Sequence, residues 1–206
     1  MKSLILVFTL FFTLSTYSLE GWEKIHTESN ISIYSKPAES GILPFRAIGT
    51  ISAPIQDVLN ALMDLKNKNI WSPKLKDVKV HKKISEYEMT ISEYYKTPWP
   101  ATDREFLLQG KLDRVNSKKF ILKAHSINNS NLSSRDHIQA DVKFLDITIE
   151  DNGNNTTFID FRFRGDFKGW MPIWLTNLIQ KKWPLRFIQG LEKYINQSDE
   201  IKLSSN

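Results

Sequence analysis

Two residues in the middle of the chain have side chains that could do chemistry or hold an ion: Glu93 and Arg104. Glu93 shares one face of an alternating segment with Tyr87, Met89, Ile91 and Tyr95, while Arg104 opens a segment whose inward parity includes Phe106 and Leu108. An arginine among apolar neighbours must be paired or must bind an anion. Glu93 and Asp103 are its candidate partners, so Arg104 either makes a structural ion pair at a strand start or touches a ligand. An enzyme would need a titratable group with a shifted pKa deep in the fold. Glu93 and Arg104 are the residues placed to supply one, and they form no recognisable catalytic pair. No catalytic residue is assigned.

The remaining polar groups carry weaker signals. His26, His81, His125 and His137 show no metal-ligand spacing, and no nucleophile elbow, phosphate loop or zinc signature is present. No metal and no cofactor is implied. Glu86/Glu88 and Asp103/Glu105 are carboxylate pairs at alternate positions, which puts each pair on one strand face, expected to be solvated. The chain has no cysteine, which removes disulfides, thiol chemistry and the lipid anchor of a bacterial lipoprotein.

At 206 residues, 41% apolar and 25% charged, the composition fits one ordinary globular domain. The net charge of +5 is mild, and basic residues alternate with acidic ones, which argues against nucleic acid as a partner. Residues 1–18 differ from the rest. Lys2, the nearly unbroken apolar run Leu4 to Leu14 and the small-residue stretch ending at Ser18 read as a secretory signal peptide, cut after about Ser18. The expected location is therefore periplasmic or secreted. No other stretch is apolar enough to span a membrane.

Stepping along the chain, Ile31–Ser35 and Phe45–Ile51 alternate as strands, joined by the Pro37–Pro44 connection. Ser52 and Pro54 mark a helix start, followed by the stripe Ile55, Val58, Leu59, Leu62, Met63. From Val78 a period of two takes over. Strands are expected near 104–113, 118–126, 136–150 and 155–165, with turns at Asn116-Ser117 and Asp151–Asn154 and a polar loop from Ser126 to Ser134. Thr97–Asp103 is a stiff loop, since Pro98 and Pro100 offer no ladder donors. Last comes a Gly-rich turn, Gly165–Gly169, and a long helix opened by Pro172. Its stripe runs Ile173, Leu175, Leu178, Ile179, Trp183, Phe187, Ile188, Leu191, Ile195. Pro184 should kink this helix rather than end it, and 197–206 reads as a flexible tail. Segregated strands and helices give an α+β class.

Three stretches in order carry a resemblance. Asn69-Ile70-Trp71 with Asp77-Val78, the run Tyr95–Phe106 containing Pro98-Trp99-Pro100 and Arg104-Glu105-Phe106, and Gly165–Asn177 containing Trp174-Leu175 and Asn177 resemble the StAR-related lipid transfer (START) domain of the helix-grip superfamily. The resemblance covers about residues 20–196. Glu105 stands where the family has Asp, Phe167-Lys168 replaces Pro-Gly, and Gln139 replaces a frequent Arg.

The resemblance implies a helix-grip fold: a curved antiparallel sheet wrapped around the long C-terminal helix, with an internal hydrophobic cavity holding one lipid. The candidate cavity residues are then Met89, Glu93, Tyr95, Arg104, Phe106, Leu108, Phe120, Leu122, Phe161 and Phe163. The C-terminal helix would be the lid, with Trp170, Trp174, Leu175, Leu178, Lys181 and Lys182 touching a membrane, an aromatic and basic composition suited to that role. Trp183 and Arg186 belong to the same expected surface. The leading function is non-enzymatic binding, and transfer, of a lipid or other hydrophobic molecule by a protein that nothing requires to be more than a monomer. The alternative is a cyclase- or hydrolase-like enzyme on a small hydrophobic substrate. A third is a protein-binding module whose cavity is filled by its own Phe and Tyr side chains.

Overall fold

The computed structural model describes residues 21–37 and 42–204. The expected signal peptide lies outside the described residues. The elements are β1 (Glu23–Glu28), β2 (Ile31–Ser35), β3 (Ile42–Ile51), α1 (Ile55–Met63), α2 (Lys68–Trp71), β4 (Leu75–Lys83), β5 (Glu88–Tyr95), β6 (Arg104–Asn116), β7 (Lys119–Ser126), β8 (Ile138–Gln139), β9 (Asp141–Gly153), β10 (Thr156–Asp166) and α3 (Ile173–Ser204).

Neighbouring strands run antiparallel in the order β1-β2-β3-β10-β9-β7-β6-β5-β4, and the two-residue β8 lies parallel to the start of β6. Between β3 and the far-edge strand β4 the chain crosses through α1 and α2, which pack on α3. α3 lies against β2 and β3 and completes the core. This is the helix-grip arrangement, a curved sheet holding one long helix. The turns follow local chemistry. Gly153, Asn154 and Asn155 have positive φ between β9 and β10, and the Asn116 side chain accepts from Lys118 N–H between β6 and β7.

Three expectations need correction. Ser52 is not the N-cap of α1. Pro54 occupies that position, its carbonyl accepting from Asp57 and Val58 N–H at 3.0 and 3.2 Å, while the Ser52 N–H donates to Glu192 of α3 at 2.8 Å. The expected strand 136–150 is broken into β8 and a later β9. α3 continues through 197–204, the stretch read as a frayed tail.

Alternation also fails where β5 and β6 pair. Residues 90–93 and 104–108 are buried on both faces. The inner face meets the core. On the outer face the loop after β7 returns, so that Ser134 N–H donates to Glu105 at 2.7 Å. Two-sided burial removes the polar half of the period-two pattern.

Candidate functional site

The site is built around how α3 begins. Before it, Phe167–Trp170 turns sharply, with Lys168 and Gly169 at φ of 52° and 64°. At Gly169 the positive φ favours glycine, and a Cβ would lie 2.6 Å from Ile138 Cδ1, so the end of that side chain would also have to move. Asp166 fixes the turn by accepting from Lys168 N–H at 2.8 Å. The turn curls around the Arg104 guanidinium. Its Nε donates to Phe167 O at 3.2 Å, and one terminal nitrogen donates to Lys168 O at 2.8 Å and Trp170 O at 3.3 Å. The other nitrogen bonds Thr102 O.

Arg104 is 1% exposed, and among the described residues every acceptor it uses is a main-chain carbonyl. Burial pulls its pKa below the usual arginine value, partly offset by Asp103. Asp103 itself turns away. Its carboxylate accepts from Thr97 N–H at 2.8 Å and pairs with Lys76 at 3.3 Å. Burial alone would raise its pKa, but these bonds outweigh it and lower it. Arg104 is therefore a latch on the loop that opens α3, not half of a carboxylate pair.

Beside the latch lies a groove of about 100 Å³ between the first turns of α3 and the strand ends. Its apolar lining is Phe106, Phe167, Met171, Leu175, Leu178, Ile179 and Trp183, with Tyr95 and Arg104 on the sheet side. A second cleft, of about 50 Å³, lies at the other end of the sheet interior between α1 and β5–β7, and includes Met89, Glu93, Leu108 and Leu122. Trp183 fills the space near the first groove. Its ring lies 5.4–6.4 Å from those of Phe45, Tyr95, Phe106, Phe161, Phe163 and Phe167. Glu93 and Tyr95 link the two clefts. Tyr95 OH donates to Glu93 at 2.7 Å, and Lys68 pairs with the other carboxylate oxygen. Burial, then the Glu93 charge, pushes the Tyr95 phenol well above its ordinary pKa.

The family model described as START domain matches residues 8–201. The chain belongs to the START domain family. No curated protein is significantly similar in sequence. Among solved structures, human STARD10 superposes with a TM-score of 0.79 at 14% identity, covering 90% of this chain and 77% of that one. Human StAR-related lipid transfer protein 5 gives 0.79 at 14%, covering 88% and 89%. A STAR-related lipid transfer protein fragment from Xanthomonas axonopodis gives 0.74 at 16%, covering 85% and 99%. At these identities the likeness speaks for the fold.

Set on the START fold, the expected residues divide. Arg104, Tyr95 and Phe106 line the groove with Leu175, Leu178 and Lys182, whereas Met89, Glu93, Leu108 and Leu122 line the second cleft. Phe161 and Phe163 lie in the ring cluster between them and line neither. Phe120 is half-buried under the Arg114 guanidinium, 5.8 Å from its ring, and also lines neither cleft. Trp170 and Trp174 are 66% and 54% exposed, with Lys181 exposed beside them. Trp183 leaves the expected surface for the core, at 9% exposure.

The carboxylate pair Asp103/Glu105 is not solvated as expected. Glu105 is fully buried, accepting from Ser92 Oγ at 2.6 Å, and His81 bonds the same hydroxyl at 2.8 Å. Burial, then Lys79, lowers the His81 pKa against the opposing pull of Glu105. Sequence reasoning missed Phe167, Met171, Lys74 and Lys96 as groove residues. No local pattern marked them: Met171 and Phe167 precede the first turn of α3, and Lys74 and Lys96 read as ordinary surface lysines.

Proposed function

We propose that the protein binds one lipid or other hydrophobic molecule between the sheet and α3, and carries it without chemical change. The observation that carries this is the groove itself. Its lining is apolar, and its roof is a helix end that shows Ile173, Trp174 and Leu178 to solvent instead of burying them. Neither cleft reaches the ~300–1,000 Å³ common for ligand pockets. A lipid chain would therefore enter as the first turns of α3 and the Phe167–Trp170 loop swing out. Each methylene transferred from water would contribute ~0.8 kcal/mol toward that opening.

Transfer would use the same gate. Trp99, Trp170 and Trp174 are exposed around the groove mouth with Lys168 and Lys181, a composition suited to transient contact with a membrane surface. The non-enzymatic reading is supported by Glu93, whose charge is spent on Lys68 and Tyr95 rather than held unpaired for proton transfer. The leader-like residues 1–18 support an exported protein, and nothing in the proposed cycle needs a second copy.

One observation favours a second reading. The ring cluster around Trp183 fills the middle of the grip, as a protein-binding module with no cargo would require. Native mass spectrometry of residues 19–206, followed by solvent extraction, separates the two. A lipid-sized adduct that exchanges with liposomes is the expected result. A clean apo mass with no uptake from mixed lipids would overturn it in favour of the filled module.

A further inference from the structure

The two clefts differ in charge as well as place. Among the described residues, five cationic ones line the groove at the start of α3, namely Lys74, Lys96, Arg104, Lys182 and Arg186, and no Asp or Glu does. Among the described residues, Lys182 alone of the five has a carboxylate within ion-pair distance, Glu28 at 3.5 Å. Lys74 and Lys96 are held side by side, with Lys96 N–H donating to Lys74 O at 2.9 Å. The second cleft is different. Its Lys68 is paired with Glu93 and its Lys111 with Asp113.

Arg104 makes this asymmetry specific. Carbonyl oxygens accept from its N–H donors, but among the described residues no carboxylate lies within ion-pair distance of the buried guanidinium, and Asp103 offsets its charge only in part while pairing with Lys76. The same guanidinium lines the apolar groove and holds the loop that opens α3. From these observations we infer that the ligand is an anionic amphiphile, a carboxylate or phosphate head group on an apolar chain. This inference rests on the hydrophobic-ligand reading above and names the class of ligand.

The chain would lie along Phe106, Leu175, Ile179 and Trp183. The head group would meet Lys182 and Arg186 at the rim and then compete with the carbonyls of Phe167, Lys168 and Trp170 for Arg104. An anion that takes these donors frees the loop, so binding and gate opening become one event. A neutral alcohol could not replace the carbonyls with a counter-charge, and a quaternary ammonium would be repelled by all five cations.

The test is competition against the uncharged fluorophore N-phenyl-1-naphthylamine by four twelve-carbon amphiphiles below their micelle concentrations. They are dodecanoate, dodecyl phosphate, dodecanol and dodecyltrimethylammonium, each measured at low and physiological salt. At least one anion should compete about tenfold more tightly than the alcohol, the margin of one charge-assisted contact, and the ammonium should be weakest. The relative strength of dodecanoate and dodecyl phosphate then tells which head group the site takes.

Arg104→Gln should collapse the anion-to-alcohol ratio toward one. Because Arg104 also holds the loop, the rim variant Lys182→Gln/Arg186→Gln provides a second reading of the same ratio, which should fall at both salt levels. If fluorophore and amphiphiles bind but dodecanol matches both anions, the anionic class is wrong and the hydrophobic-ligand reading stands. If neither the fluorophore nor any amphiphile binds, both fail together.

Discussion

The two halves of α3 have the same backbone and opposite surroundings. Before Trp183 the helix buries Leu175 but leaves Ile173 80% and Trp174 54% exposed. From there on, Trp183, Leu185, Phe187, Ile188, Leu191 and Ile195 are all core residues. The second half is pinned from several sides. Trp71 meets Phe187 edge-on at 5.0 Å, Tyr194 OH donates to Asp64 at 3.2 Å, and Glu192 accepts from Ser52 N–H. The first half is held at its start mainly through the Arg104 latch on the preceding loop. Proline between them removes an N–H donor from the helix interior, so the hydrogen-bond ladder is weakest where anchored helix meets roof. One element thus serves as both core and lid.

The largest test of that division is Trp183→Ala, which removes the hub of the ring cluster. It should cost about 4 kcal/mol, as read from urea unfolding, whereas Ile173→Ala ten residues earlier should change stability by less than about 0.5 kcal/mol. Similar losses at both positions would erase the distinction between the halves. Gly190→Ala comes next. A Cβ there would collide with the Trp71 carbonyl oxygen, a backbone atom that cannot swing aside. A loss of about 1–3 kcal/mol is expected, and a neutral result would show that α2 yields to α3 more easily than the contact implies.

Pro184→Ala sharpens the comparison in the other direction. It restores the missing donor, and a helix-interior proline is disfavoured against alanine by up to ~3 kcal/mol. Pro184 is itself buried, so lost packing offsets part of this and a net gain of about 1 kcal/mol is expected. Hydrogen exchange should report it locally. Amides of residues 173–182 should exchange faster than those of 185–195 in the unaltered protein, and the gap should narrow in the variant. Uniform protection along α3 before the change would sink the hinge.

What the sequence could reveal follows the same boundary. The stripe from Ile173 to Ile195 located α3, and its continuation past Pro184 showed that the proline does not end the helix, because both are local properties of a helix. Periodicity treats each stripe residue alike, however, so it could not say that Trp183 points into a cluster of six rings while Trp174 faces water. That difference depends on which strands lie opposite. Arg104 was legible as a buried cation needing a partner. Its partners were not, because they are carbonyls, three of the four more than sixty residues away, and a carbonyl has no residue type to read. Glu105 escaped for a related reason, since the loop that buries it carries the polar composition of a solvated segment.

The smallest expected change in stability belongs to the residues that face outward. Trp170 and Trp174 contribute little to the core at their exposures of 66% and 54%, so Trp170→Ala/Trp174→Ala should shift unfolding by no more than about 0.5 kcal/mol. Binding to liposomes should respond differently. Each indole presents a large amphipathic surface to the interface, and the neighbouring Lys181 adds attraction to anionic lipid. The double variant should sediment several-fold less with anionic vesicles, while raised salt should weaken both proteins by screening the lysines. Stability and vesicle binding would then separate along α3 as burial does. If the two properties fell together, these tryptophans would belong to the core, and the first half of the helix would be no more a lid than the second.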